Sequence, residues 1–142
     1  MQSNVVLIAV VFFALGALVF FSMNRPEDKS ESEVFTSVSS SELEVMLEDK
    51  DFVLIDVHTP EQRHIPGTDY FISYNDTDSI VSVIQNKDAK VVLYCRSGSM
   101  SKIAAQELAG LGYTNVYELV GGLHDWTSEG RETLPEGSVT VL

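Results

Sequence analysis

The chain has 142 residues, enough for one compact domain and one extra element. With 9 Lys and Arg against 21 Asp and Glu its formal net charge is −12, and no basic stripe is present to follow a phosphate backbone, which excludes nucleic-acid binding and electrostatic docking on an anionic membrane surface. The single cysteine excludes an internal disulfide and a thiolate-rich zinc centre.

The extra element comes first. Residues 5–22, VVLIAVVFFALGALVFFS, carry no charge and approach the roughly 20 residues that a helix needs to cross a bilayer. A cleaved signal peptide is the alternative, but residues 1–4 contain no Lys or Arg and the small pair Ala14 and Gly16 lies mid-stretch, so a single-span transmembrane anchor over residues 1–23, uncleaved, is the favoured reading. Arg25 and Lys29 follow the span and by the positive-inside rule weight the soluble part toward the cytoplasm, with an extracytoplasmic placement left open. Residues 24–34 are polar, mostly acidic and contain Pro26, the composition of an acidic linker.

The folded part begins near Val34. Ser41 followed three residues later by Glu44 predicts a capping box, and Leu43, Met46 and Leu47 share a face of the short helix it opens. Phe52, Val53, Leu54 and Ile55 form an apolar run ending in Asp56, the pattern of a strand buried on both faces. Pro60, Pro66 and Gly67 mark residues 57–69 as loop; Tyr70, Phe71 and Ile72 suit a short strand, and Ile80, Val81, Val83 and Ile84 a helix. Val91, Val92, Leu93 and Tyr94 read as another buried strand. Ile103, Ala104, Leu108 and Leu111 then recur at helical spacing, with Ser99 or Ser101 as the cap and Gly110 or Gly112 as the stop. Residues 115–120 make a further strand, and Gly121-Gly122 leads into a short helix whose Leu123 and Trp126 read as core. Residues 131–142 form a C-terminal extension, of which Pro135 to Leu142 either add an edge strand or stay loose. Such alternation predicts an α/β fold with a central, mainly parallel sheet covered by helices on both faces. Ligands of such sheets bind outside the carboxyl ends of the strands, where Asp56, Cys95 and Gly121-Gly122 fall.

Cys95 ends a strand and precedes Arg96, Ser97, Gly98, Ser99, Met100 and Ser101, a loop that opens a helix. N–H groups at a helix N-terminus, reinforced by the dipole and by Arg96 and Lys102, favour an anion and can lower a thiol pKa from ~8.5 to roughly 3.5–7.5, the state of a useful nucleophile. The other reading is a small buried hydrophobe at a strand end. Cysteine-phosphatase chemistry needs Arg six positions after the cysteine, where Ser101 stands, and a nucleotide-binding loop needs Gly-Lys-Ser or Gly-Lys-Thr, which does not follow Gly98. His58, His64 and His124 are too scattered to read as a metal site.

The segments LIDVHTPEQ, RHIPGT, VVLYCRSGSMS, LGYTNV and GGLHDW, in this order and spacing, resemble a single-domain rhodanese from about Ser41 to about Trp126. The resemblance implies a rhodanese-like domain at residues 35–130 and a sulfurtransferase. In it Cys95 takes a sulfane sulfur from a donor such as thiosulfate or a persulfide, holds it as a persulfide, and passes it to a thiol or cyanide. It further implies that Arg96, Ser97, Gly98, Ser99, Met100 and Ser101 cradle the transferred sulfur through backbone N–H groups and serine hydroxyls, that Asp56 and His58 support the site, and that no cofactor is needed. Asp56 at a strand end is either a general base or, in line with the family, an acceptor of loop-backbone hydrogen bonds. Because the chain has no second cysteine, the acceptor comes from solution or from a partner protein. Two departures stand out: His58 replaces the arginine usual in the family, and the loop from Glu61 to His64 is shorter than usual. A non-catalytic rhodanese-fold binding or sensing module at the membrane is the alternative from a different class.

Overall fold

Strands and helices alternate along residues 34–142, the part of the chain that the computed structural model describes, except that β3 follows β2 with no helix between them. The order is β1 (Thr36–Val38), α1 (Ser40–Glu48), β2 (Val53–Asp56), β3 (Tyr70–Phe71), α2 (Thr77–Val83), β4 (Val91–Tyr94), α3 (Ser99–Gly110), β5 (Val116–Leu119), α4 (Gly122–Ser128) and β6 (Thr140–Val141). The expected anchor and nearly all of the linker lie outside the described residues. Among those described, no helix is long and apolar enough to cross a membrane.

The strands form one sheet in the order β1-β5-β4-β2-β3-β6, and every pairing in it is parallel. β2 and β4 lie side by side at its centre, which is why both read as unbroken apolar runs: a strand with helices over both faces has no side for water. Side chains still alternate. Val91, Leu93 and then Cys95 join the layer containing Ile80 of α2 and Ala104, Ala105 and Leu108 of α3. Val92 and Tyr94 join the opposite layer with Leu43 of α1 and Leu123 and Trp126 of α4. Helices therefore cover both faces, and the three turns expected to carry chemistry open at one edge.

One local expectation changes, one strand is added and one open alternative is decided. The capping box of α1 lies two residues earlier than the Ser41–Glu44 reading: Ser39 is the N-cap, its Oγ accepts the Glu42 N–H at 3.3 Å, and its own N–H donates to Glu42 Oε2 at 2.8 Å. Residues 39–41 are all serine and glutamate stands at both 42 and 44, so both registers satisfy the motif. β1 ending at Val38 selects the first, because Ser39 is then the extended residue that leaves the strand. β1 itself was not legible, being a three-residue edge strand on β5. The end of the C-terminal extension is ordered as β6 on β3, the edge-strand alternative.

Tyr94 joins the sheet to the loop before β3. Its buried hydroxyl accepts the Ile65 N–H at 3.0 Å, and since Thr68 Oγ1 already donates to Ile65 O at 2.6 Å, the Tyr94 O–H donates to Thr68 Oγ1 at 2.9 Å. Burial holds the phenol well above its usual range, so it stays a donor. Tyr94→Phe leaves the Ile65 N–H without its partner and is expected to lower stability by about 1–3 kcal/mol, read as a reduced urea midpoint at unchanged slope.

Candidate active site

β4 delivers Cys95 to its carboxyl end, and residues 96–98 turn the chain into α3. Gly98 makes the turn possible: it is the N-cap of α3 at φ 94°, a left-handed conformation that costs glycine little, and its N–H points back to Cys95 Sγ at 3.1 Å. Ser101 Oγ lies 3.5 Å from the same sulfur. The expected serine cap is thus replaced by glycine, and no side chain caps α3. The reason is that Ser101 is buried and turned inward, bonding Glu118 Oε1 at 2.8 Å, while the exposed Ser99 hydroxyl meets that of Ser97 at 3.5 Å. With no oxygen occupying the cap, the first-turn N–H groups of a twelve-residue helix remain directed at the space around the sulfur, together with the positive end of the helix dipole.

Cys95 is 1% exposed, with the Gly98 N–H and the Ser101 hydroxyl against its sulfur. Arg96, Ser97 and Ser99 are exposed, Met100 is half-buried against the core beside α3, and Gly98 and Ser101 are buried. The solvent side of the cradle therefore carries one guanidinium and two hydroxyls, and its inner side carries Gly98 and Ser101.

The back of the cradle rests on α4. Leu123 N–H donates to Cys95 O and His124 N–H to Arg96 O, each at 2.9 Å. Such contact requires the absence of a side chain at Gly122, where a Cβ would lie 2.3 Å from Cys95 O and 2.9 Å from Arg96 O. The Gly-Gly pair read from the sequence is thus part of the site because it lets two backbones touch.

Asp56 and His58 lie at the same sheet edge but do not join the sulfur. Asp56 alternates with Ile55 and Val57, which share the Cys95 layer, and so projects to the other side. Its carboxyl accepts His58 N–H at 3.0 Å, Gln62 Nε2–H at 3.3 Å and a bond with His64 Nδ1 at 3.0 Å. Burial pushes the Asp56 carboxyl upward in pKa, against the lowering effect of those donors. His58 donates from Nδ1 to Pro60 O at 2.7 Å and is buried, so the residue that replaces the usual arginine serves its own loop. The short segment at Glu61 to His64 is built onto the C-terminal extension: His64 and Leu134 exchange backbone bonds at 2.9 and 2.8 Å, and Gly137 N–H donates to Glu61 Oε1 at 2.7 Å. His64 is fully buried, with Nε2 2.9 Å from Glu61 Oε1, a packed loop residue.

One residue of the site escaped the sequence reading. Glu118 is fully buried on β5 and reaches the cysteine through Ser101. Its signal was a lone charge in the run Val116 to Val120, at an alternating position that shares a face with Val116 of the core.

A family model for the rhodanese-like domain matches residues 39–129, more than half of the chain. The chain belongs to the rhodanese-like family. Among relatives of this rhodanese-like protein, thiosulfate sulfurtransferase GlpE of Pseudomonas syringae pv. syringae is 32% identical over 96 residues, covering 66% of this chain and 85% of that protein. The adenylyltransferase and sulfurtransferase UBA4 of Candida albicans is 31% identical over 96 residues, 61% of this chain, which spans only 22% of that longer protein. A crystal structure of a rhodanese-like domain protein from Staphylococcus aureus superposes with a TM-score of 0.55 at 28% identity, covering 69% of this chain and 97% of the other.

Gly122→Ala is expected to cost several kcal/mol, since a left-handed alanine costs about 1–2 and overpacking about 1–3. Gly130 has φ 80° with nothing within 4 Å of an added Cβ, so Gly130→Ala bears only the first of these. Urea unfolding of the two variants separates backbone strain from the close approach to Cys95; equal losses would contradict the latter.

Proposed function

We propose that the protein is a sulfurtransferase in which Cys95 carries the sulfur as a persulfide, with a donor of the thiosulfate or persulfide class and an external thiol, protein thiol or cyanide as acceptor. The observation that carries the reading is the Cys95 sulfur held by the Gly98 N–H at the uncapped N-terminus of α3. The relatives named as sulfurtransferases support it.

With thiosulfate the Cys95 thiolate attacks the outer sulfur, the new S–S bond forms as the donor's own S–S bond breaks, and sulfite leaves with the electron pair of that bond. The terminal sulfur of the persulfide then bears the negative charge. It lies where the helix dipole and first-turn N–H groups stabilise an anion, and where water is largely excluded. Cyanide attacks that terminal sulfur, thiocyanate leaves, and the Cys95 thiolate is regenerated. Arg96 and Lys102, both exposed near the loop, attract an anionic donor at short range, whereas the chain's net charge of −12 repels it beyond the screening length of about 8 Å. Full-length protein given thiosulfate and cyanide is expected to release thiocyanate, and Cys95→Ser to return the rate to background. Equal rates for the two proteins would overturn the proposal, and absence of turnover with every donor would leave the fold as a binding module.

We further propose that residues 5–22 tether this domain to a membrane, from their uncharged apolar run and the acidic segment that follows, with the soluble part on the cytoplasmic side. The full-length chain is expected to stay with membranes through alkaline washing. Recovery as a shortened soluble species would show cleavage instead.

A further inference from the structure

The sulfur-transfer steps leave one ionisable group of the site without a task. Glu118 is 0% exposed, stands on β5 opposite Leu93 of β4, and shares the layer of Cys95. Gly98 presses on it closely enough that a Cβ there would come within 3.0 Å of Glu118 Oε1. A buried carboxyl beneath a cradle built for an anion is unfavourable if both it and the sulfur are ionised, because two like charges would share a site shielded from water.

Ser101 connects them. Its Oγ is 2.8 Å from Glu118 Oε1 and 3.5 Å from Cys95 Sγ, yet a serine hydroxyl has a single proton to donate. With one negative charge shared between the carboxyl and the sulfur, two arrangements satisfy both contacts. In one, the Cys95 S–H donates to Ser101 Oγ and the Ser101 O–H donates to the Glu118 carboxylate. In the other, the Ser101 O–H donates to the Cys95 thiolate and a protonated Glu118 donates to Ser101 Oγ. They interconvert when the S–H bond breaks, its proton passes to Ser101 Oγ, and the original hydroxyl proton passes to Glu118 Oε1. Protons balance, and the site carries one negative charge before and after.

We propose that Glu118, acting through Ser101, takes up the thiol proton of Cys95, so that one negative charge moves between the carboxyl and the sulfur and the carboxyl keeps the proton through both half-reactions. Its use in catalysis rests on the sulfurtransferase reading; the shared proton does not. Glu118 is a positioning residue for the charge, since Ser101 and not Glu118 meets the sulfur. The flanking strands β1 and β4 contribute no charged side chain. Among the described residues, the remaining charged groups on the surrounding elements are Arg96 of the loop, Lys102 and Glu107 of α3 and His124 of α4, all exposed, and Asp125 of α4, half-buried.

The test is the rate of alkylation of Cys95 by uncharged iodoacetamide in the full-length chain, followed from about pH 4 to about pH 9, the span between ordinary carboxylate and thiol pKa values. Two coupled sites release protons in two macroscopic steps. The wild type is therefore expected to show a plateau at intermediate pH, from the thiolate paired with a protonated carboxyl, and a second rise in alkali. Glu118→Gln cannot take up the proton and is expected to show a single step. Ser101→Ala, a change that leaves the carboxyl in place, is expected to lower the plateau by at least about tenfold, and it serves if the glutamine variant fails to fold. Superimposable profiles for wild type and either variant, or a single step in the wild type, would overturn the proposal. Alkylation needs no sulfur donor, so its outcome is independent of whether thiocyanate forms.

Discussion

The site depends on one close approach of backbone to backbone. Gly122 at the start of α4 lies against the carbonyl groups of Cys95 and Arg96, and the next two N–H groups of α4 bond those same carbonyls. That contact fixes the direction in which the chain leaves β4. Only then can Gly98 reverse the loop, point its N–H at the sulfur and start α3 at the right place. The reactive group, the donors that stabilise its charge and the helix dipole are set by two glycine-dependent turns at one sheet edge, at Gly98 and at Gly121-Gly122, beside the central strands β2 and β4.

A division of labour follows between the two sides of the sheet. On the Cys95 side are the sulfur, Ser101 and Glu118, a small polar group enclosed by the apolar layer of α2 and α3. On the other side Asp56, Gln62 and His64 tie the loop between β2 and β3 into a buried network that continues to Glu61 and the C-terminal extension. The polar residues that look most chemical in the sequence, an aspartate and two histidines, hold loops. The group closest in function to the cysteine is a glutamate that the strand pattern conceals.

Much of the architecture was legible because its signals are local. β4, and β2 up to its terminal Asp56, are apolar runs because both faces of each are covered, and α3 keeps Ala104, Ala105 and Leu108 on one face. The cysteine loop is continuous in sequence, so its place at a strand end was readable too. What stayed hidden depends on pairing across distance. β1 has three residues and is a strand only because β5 lies beside it. The serines at 39–41 offered two equivalent capping registers, and Ser99 and Ser101 two equivalent caps, until tertiary packing turned Ser101 inward. Glu118 alternates with core residues yet carries a charge, and whether such a position meets water or a partner is decided by the helix packed over it.

The chemistry proposed for this chain passes through the Cys95 sulfur, so its covalent state after meeting a donor tests the central claim most directly. Peptide mass analysis of the full-length protein after exposure to thiosulfate is expected to find one added sulfur atom on the peptide containing Cys95, lost again when cyanide is added. An unmodified Cys95 peptide under thiosulfate and under persulfide donors alike would contradict it.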